Sequence, residues 1–154
     1  MENNKTFAPL EVNNPKGGHK QNKPLTGFAC AINCMDGRVQ DAVKNYIKEN
    51  YSVDYVDMAT EPGPNKILAE NTDAVVIENI KKRVDISVNH HNSKVIAIVG
   101  HFGCAGNPVE KKEQIEHLKK ARKTVESFGF PAEIILLWVD GDWETVEKII
   151  LHGR

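Results

Sequence analysis

The sequence has no excess charge of either sign. Its 20 Lys and Arg residues face 21 Asp and Glu, a formal net charge of −1. A balanced chain carries no global field toward nucleic acid or an anionic membrane, so neither is expected as a partner. It also lacks a long apolar run: no stretch reaches the roughly 18 to 20 residues that span a bilayer. The opening segment, MENNKTFAPLEVNNPKGGHK, has no apolar core of the kind a secretory signal carries. A soluble, cytoplasmic protein is expected. Cysteine is scarce, with three residues. An odd, small number argues against a disulfide framework and for ligands, nucleophiles or core fillers in a reducing compartment. No internal repeat is present.

What is there suits one core. The 154 residues are 40% hydrophobic and 27% charged, which fits a single domain and excludes a disordered chain. Residues 1–25 are rich in Asn, Lys, Pro and Gly and read as a flexible or extended N-terminal arm. Residues 26–154 read as one α/β domain.

Apolar periodicity alternates along that domain. Thr26 to Asn33 (TGFACAIN) is uncharged and apolar, the pattern of a strand buried on both faces. Val39, Ala42, Val43, Tyr46 and Ile47 follow at helical spacing, predicting a helix over Val39 to Asn50. Ser52 to Met58 reads as a second strand, and Glu61-Pro62-Gly63-Pro64-Asn65 as a loop. Lys66 to Asn89 reads as one or two helices, broken near Asn71-Thr72-Asp73. Lys94 to Gly100 (KVIAIVG) is the plainest strand. Glu110 to Phe128 is an amphipathic helix ended by Gly129-Phe130-Pro131. Glu133 to Val139 is a fourth strand, and Trp143 to Leu151 a closing helix. This order predicts an α/β fold: a mostly parallel, four- to five-stranded sheet flanked by helices. Ligands of such sheets sit beyond the carboxyl ends of the strands.

Two motifs fall there. Cys34-Met35-Asp36-Gly37-Arg38 follows the first strand, and His101-Phe102-Gly103-Cys104 follows the third. Two thiolates and an imidazole are ligands that zinc favours, and three ligands leave an open position for activating water. Met35 and Phe102 can supply apolar surroundings. Asp36 and Arg38, two apart, suit a bidentate pair that keeps the carboxylate ionised. Asp36 could accept a hydrogen bond from water, ligate the metal itself, or cap the helix that starts near Val39.

Other reactive residues have plainer roles. Cys30 reads as core filler, and a redox pairing of Cys30 with Cys34 fits Cys-x-x-Cys chemistry poorly. His90-His91 reads as a solvated helix end, His117 as an exposed helix residue, and Trp138 and Trp143 as packing anchors. The lysines from Lys111 to Lys123 alternate with glutamates, the pattern of a solvated helix face.

Cys34-x-Asp36-x-Arg38 followed by Gly100-His101-x-x-Cys104 resembles the zinc signature of the β-class carbonic anhydrases. The likeness runs from about Phe28 to Trp143. It implies that Cys34, His101 and Cys104 hold Zn2+ and that Asp36 and Arg38 form the adjoining catalytic dyad. It implies reversible hydration of carbon dioxide to bicarbonate by zinc-bound hydroxide, with Asp36 orienting the hydroxide and Arg38 holding Asp36 off the metal. In a closed form Asp36 would swing in as fourth ligand. It further implies a homodimer or higher homo-oligomer with the site near a subunit interface. Where the family usually carries Arg-Asn-Ala-Gly after the second strand, this chain has Met58-Ala59-Thr60-Glu61-Pro62-Gly63, which marks a divergent, compact member. Hydrolysis of carbonyl sulfide or carbon disulfide is the enzymatic alternative. A non-catalytic zinc or bicarbonate-binding protein is the other.

Overall fold

The computed structural model describes residues 27–152, so the expected N-terminal arm lies outside the described residues. Strand β1 (Phe28–Cys34) leads through a 3-10 turn into helix α1 (Gln40–Tyr51). β2 (Tyr55–Glu61), α2 (Pro64–Glu70) and α3 (Ala74–Asp85) follow, α3 ending in a π-helical turn over Ile86–His90. β3 (Val95–His101), α4 (Lys111–Glu126), β4 (Glu133–Val139) and the short β5 (Val146–Lys148) complete the order. The sheet runs β2-β1-β3-β4-β5. The first four strands are parallel and β5 is antiparallel.

Local chemistry sets the element ends. Asp73 caps α3 by accepting from the Val76 N–H at 3.1 Å. Asn71 ends α2 in the left-handed conformation, φ 51°, so the helical region breaks where its polar triplet predicts. β3 is buried at every position, as its unbroken apolar run requires. One apolar layer packs Val39, Val43 and Ile47 on Ala29, Ala31, Ala97 and Leu137. The opposite layer packs Leu68, Ile80, Leu118 and Val125 on Ile32, Ile96, Ile98 and Leu136.

Three expectations need correction. β2 starts and ends three residues later than read, so Glu61 is a strand residue rather than part of the loop. The motif ligands Cys34 and His101 are the last residues of their strands rather than the first beyond them. The closing helix is not formed: Val146, Glu147 and Lys148 pair antiparallel with Val139, Trp138 and Leu137. The Asp142 carboxylate accepts from the N–H groups of Glu144 and Thr145 and from the Thr145 hydroxyl, closing a turn that delivers the chain to the open edge of β4. No helix among the described residues is long and apolar enough to cross a membrane.

The strand order reverses between β1 and β3, the switch point at which α/β sheets leave a crevice at their carboxyl ends. Two loops meet there backbone to backbone. A Cβ on Gly106 would stand 2.4 Å from the Pro62 carbonyl carbon, and one on Gly63 2.6 Å from that of Gly106. Only glycine fits at either place.

Candidate metal centre

The crevice gathers both motifs. Cys34 and His101 arrive on neighbouring strands, and Cys104 is turned back toward them by Gly103, which adopts φ 65°. One ligand atom from each of the three lies within 4.8 Å of the other two, and all three residues are buried. The Cys34 and Cys104 sulfurs are 3.9 Å apart. All three cysteines carry free thiols, and Cys30 belongs to the opposite apolar layer, beside Ser87.

The imidazole is aimed. His101 Nδ1 bonds the Phe102 carbonyl at 2.8 Å, which assigns the proton to Nδ1. Nε2 is then the lone-pair nitrogen, buried and without a hydrogen-bond partner. An orphaned buried nitrogen beside two thiols, its ring fixed through a backbone carbonyl, is the arrangement of a metal-ligating histidine. Two sulfurs and one nitrogen are also a donor set that suits zinc. On both counts the residues fit the ion.

Charge is unevenly shared in the cluster. The hydrogen bond from Cys104 draws the Cys34 thiol well below the usual thiol range, against the cost of burial. The same contact pushes Cys104 upward. Burial opposes protonation of His101, but the Cys34 contact and the Phe102 carbonyl outweigh it, so its pKa is raised.

Asp36 and Arg38 form the bidentate pair expected of them. Arg38 Nη2 donates to Asp36 Oδ2 at 2.7 Å, Nε reaches Oδ1 at 3.1 Å, and the Arg38 backbone N–H donates to Oδ1 at 2.9 Å. These bonds hold the Asp36 carboxyl down at about 2. Asp36 also caps the short turn over Gly37–Val39, so the capping and ion-pair readings are both realised. The carboxylate is not one of the clustered ligand atoms.

Polar residues that the sequence reading passed over hold the loops. Gln40 Nε2 donates to the carbonyls of Cys34 and Asp36, both at 2.8 Å. The Met35 N–H donates to the Glu61 carbonyl at 3.0 Å, and Arg83 pairs with the Glu61 carboxylate. Gln114 is fully buried, binds both sides of the His101 backbone, and accepts from Asn65 at 3.2 Å. Asn107 donates to Asn65 Oδ1 at 3.2 Å and meets His117 Nδ1 at 2.9 Å. A signal for Gln114 was present: it lies on the stripe Leu118, Ala121, Val125 that α4 buries.

The remaining candidates lie elsewhere or differ from expectation. His117 is half-buried and bonded rather than exposed, because α4 presents it to the Asn107 turn. His91 pairs with Asp57 at 2.7 Å, and His90 is exposed. Met35 and Phe102 are 63% and 57% exposed on this single chain, so they do not close over the ligands. A cavity of about 400 Å³ opens beside Cys104, between Phe102, Pro108, Lys111 and Trp138. A smaller one of about 190 Å³ lies by Cys30, Asp57 and Arg83 and includes none of the motif residues.

A family model described as "Putative carbonic anhydrase" matches residues 25–150. No curated protein matches the chain. Among solved structures, the chain is similar to a tetrameric beta-carbonic anhydrase of Sordaria macrospora at 13% identity, covering 79% of each chain with a TM-score of 0.47. It is similar to the b-carbonic anhydrase CafA of Aspergillus fumigatus at 11% identity, covering 79% of this chain and 74% of that one, TM-score 0.44. A third is a carbonic anhydrase from Streptococcus mutans, at 16% identity over 87% of each chain, TM-score 0.45.

Proposed function

The chain belongs to this carbonic anhydrase family, as a divergent member, and from that premise we propose that it catalyses the reversible hydration of carbon dioxide to bicarbonate with Zn2+ held by Cys34, His101 and Cys104. The observation that carries the reading is the buried two-sulfur, one-nitrogen cluster with an oriented, unpartnered His101 Nε2 beside a locked Asp36–Arg38 pair. Zinc at a three-ligand site supplies Lewis acidity that makes water deprotonation accessible near neutral pH.

The side chains divide the remaining work. Cys34 and Cys104 provide the two thiolates, and Cys104 gives up its proton when the cluster is loaded. His101 would ligate through Nε2 while its Nδ1 keeps the proton it donates to the Phe102 carbonyl. Asp36 stays ionised and offers an acceptor oxygen, which orients a reacting water by taking a hydrogen bond from it. Arg38 fixes where that oxygen stands. The carbon dioxide molecule is linear and apolar and needs no ion partner, which suits a site flanked by Met35 and Phe102. Their exposure favours a homo-oligomer in which a second copy covers them. Reduced thiol ligands suit the cytoplasm.

The test is stopped-flow carbon dioxide hydration on protein of measured zinc content, at about pH 7 and about pH 8.5, a pair that brackets the titration expected for such a site. One zinc per chain with turnover is expected. Turnover at the higher pH alone would point to Asp36 occupying the fourth position at rest. Stoichiometric zinc with no turnover at either pH would overturn the reading and direct assays to carbonyl sulfide and carbon disulfide.

A further inference from the structure

Trp143 has a backbone conformation that bulky residues avoid. Its φ is +61°, in the left-handed region. Strain of this kind persists only where the surroundings over-determine it, and here they do. The Trp143 N–H donates to the Asp140 carbonyl at 3.0 Å, and Asp140 N–H to the Thr145 carbonyl at 2.9 Å. Trp138 Nε1 holds Asp140 Oδ1 at 2.7 Å, and Asp142 ties down Glu144 and Thr145. Behind the turn, β5 pairs with β4.

The turn delivers the indole to the metal centre. Arg38 Cζ lies 4.0 Å from the Trp143 ring centroid, close enough for stacking and cation–π attraction. The same ring is 6.2 Å from the His101 ring and 6.3 Å from that of Phe102. Arg38 needs such a surface. Its side chain is 53% exposed, and a long, exposed side chain spreads over many rotamers unless packing selects one. The rotamer chosen puts the guanidinium fork on Asp36.

We propose that Trp143 is a positioning residue: by stacking on Arg38 it holds the guanidinium on Asp36, and so keeps the Asp36 carboxylate out of the Cys34–His101–Cys104 cluster. The clause about the cluster rests on the metal site proposed above. The clause about Arg38 does not.

The experiment compares wild type, Trp143→Leu, Trp143→Phe, Arg38→Ala and the Trp143→Leu/Arg38→Ala double variant. The metal-independent readout is the ¹⁵N–¹H signal of Arg38 Nε, assigned by its absence in Arg38→Ala. In wild type it is expected to be shifted by the indole ring current and protected from exchange. Trp143→Leu is expected to abolish both properties, and Trp143→Phe to retain part of the shift. The second readout is the visible spectrum of the Co(II)-loaded proteins, which reports the ligand set. Trp143→Leu and Arg38→Ala are expected to move it in the same direction, and the double variant no further than Arg38→Ala alone.

An unchanged Arg38 signal in Trp143→Leu would overturn the proposal, as would spectral changes that add in the double variant. Should Trp143→Leu fail to fold, Asp142→Ala loosens the turn while keeping the indole, and an Arg38 signal unaltered in that variant would equally overturn it. Wild type that takes up no metal would overturn the zinc reading instead, and the Arg38 signal would still decide the role of Trp143.

Discussion

Gln114 grips both backbone polar groups of one residue: its Oε1 accepts from the His101 N–H at 3.2 Å, and its Nε2 donates to the His101 carbonyl at 2.7 Å. A residue thirteen positions downstream thus fixes the backbone of a proposed ligand from outside the ligand set. Gln114→Leu strands both His101 groups in a dry interior. It should cost about 1–3 kcal/mol in stability and lower zinc affinity by about 10- to 100-fold, the range for groups that orient ligands. Urea melts and chelator competition would measure the two. Unchanged affinity would show that His101 holds its place without the clamp.

Zinc uptake should release protons and strengthen with pH. Cys34 is held down by the hydrogen bond from Cys104, while Cys104 is pushed up by the same contact, so loading must expel the Cys104 proton. The raised pKa of His101 adds to proton release at the acidic end. Calorimetric titration with zinc in buffers of different ionisation enthalpy would count the protons. An affinity indifferent to pH would contradict the shared-proton arrangement.

Acid should weaken the fold through two aspartates. Asp36 is held at about 2 by its bonds to Arg38, and Asp142 at about 2 by the Thr145 hydroxyl and nearby N–H groups. A carboxyl whose folded pKa is depressed contributes stability above its unfolded pKa of about 4. That contribution is lost as pH falls through about 2. Asp36→Asn and Asp142→Asn should each flatten the acid limb of the stability curve. Circular dichroism melts between about pH 2 and 5 would show it, and variant curves parallel to wild type would refute the assignment.

Gly106→Ala should be among the more damaging single-methyl changes in the chain. The added carbon would stand 2.4 Å from the Pro62 carbonyl carbon, and backbone cannot swing aside as a side chain does. A loss of about 2 kcal/mol or more is expected, at the upper end of overpacking costs, together with weaker zinc binding. Gly129→Ala makes no such contact, and its cost should come from its positive φ alone. A Gly106→Ala variant as stable as wild type would remove the close loop contact from the account.

Legibility in the sequence followed the range of the forces involved. β3 and β4 could be read because strands buried on both faces are apolar throughout, and burial is written into composition. The Asn71-Thr72-Asp73 break could be read because capping is local. The motifs were legible as a shared crevice because strand ends of a parallel sheet converge. β5 was not: Val146 to Lys148 is a strand only because β4 offers an open edge, a partner with no trace in the local pattern. Trp143 reads only as a packing residue, since nothing near it in sequence announces Arg38. Gln114 and Asn107 are polar groups satisfied by partners distant in sequence, and the five-residue buried stripe that contains Gln114 shows only that a partner must exist, not which one.

The sheet itself acts as a jig for the candidate metal centre. Cys34 and His101 are the terminal residues of the neighbouring strands β1 and β3, whose paired ladder runs through Cys30–Ile96, Ala31–Ala97 and Ile32–Ile98 and ends short of both. The ladder delivers the two strand ends to one edge, and polar contacts beyond it hold them there: Gln40 takes the Cys34 carbonyl and Gln114 the His101 backbone. None of these bonds is made to an ion. The cradle is therefore preorganised: loading redistributes protons and fine-tunes side chains, with little of the ordering cost borne by sites that must fold around their metal.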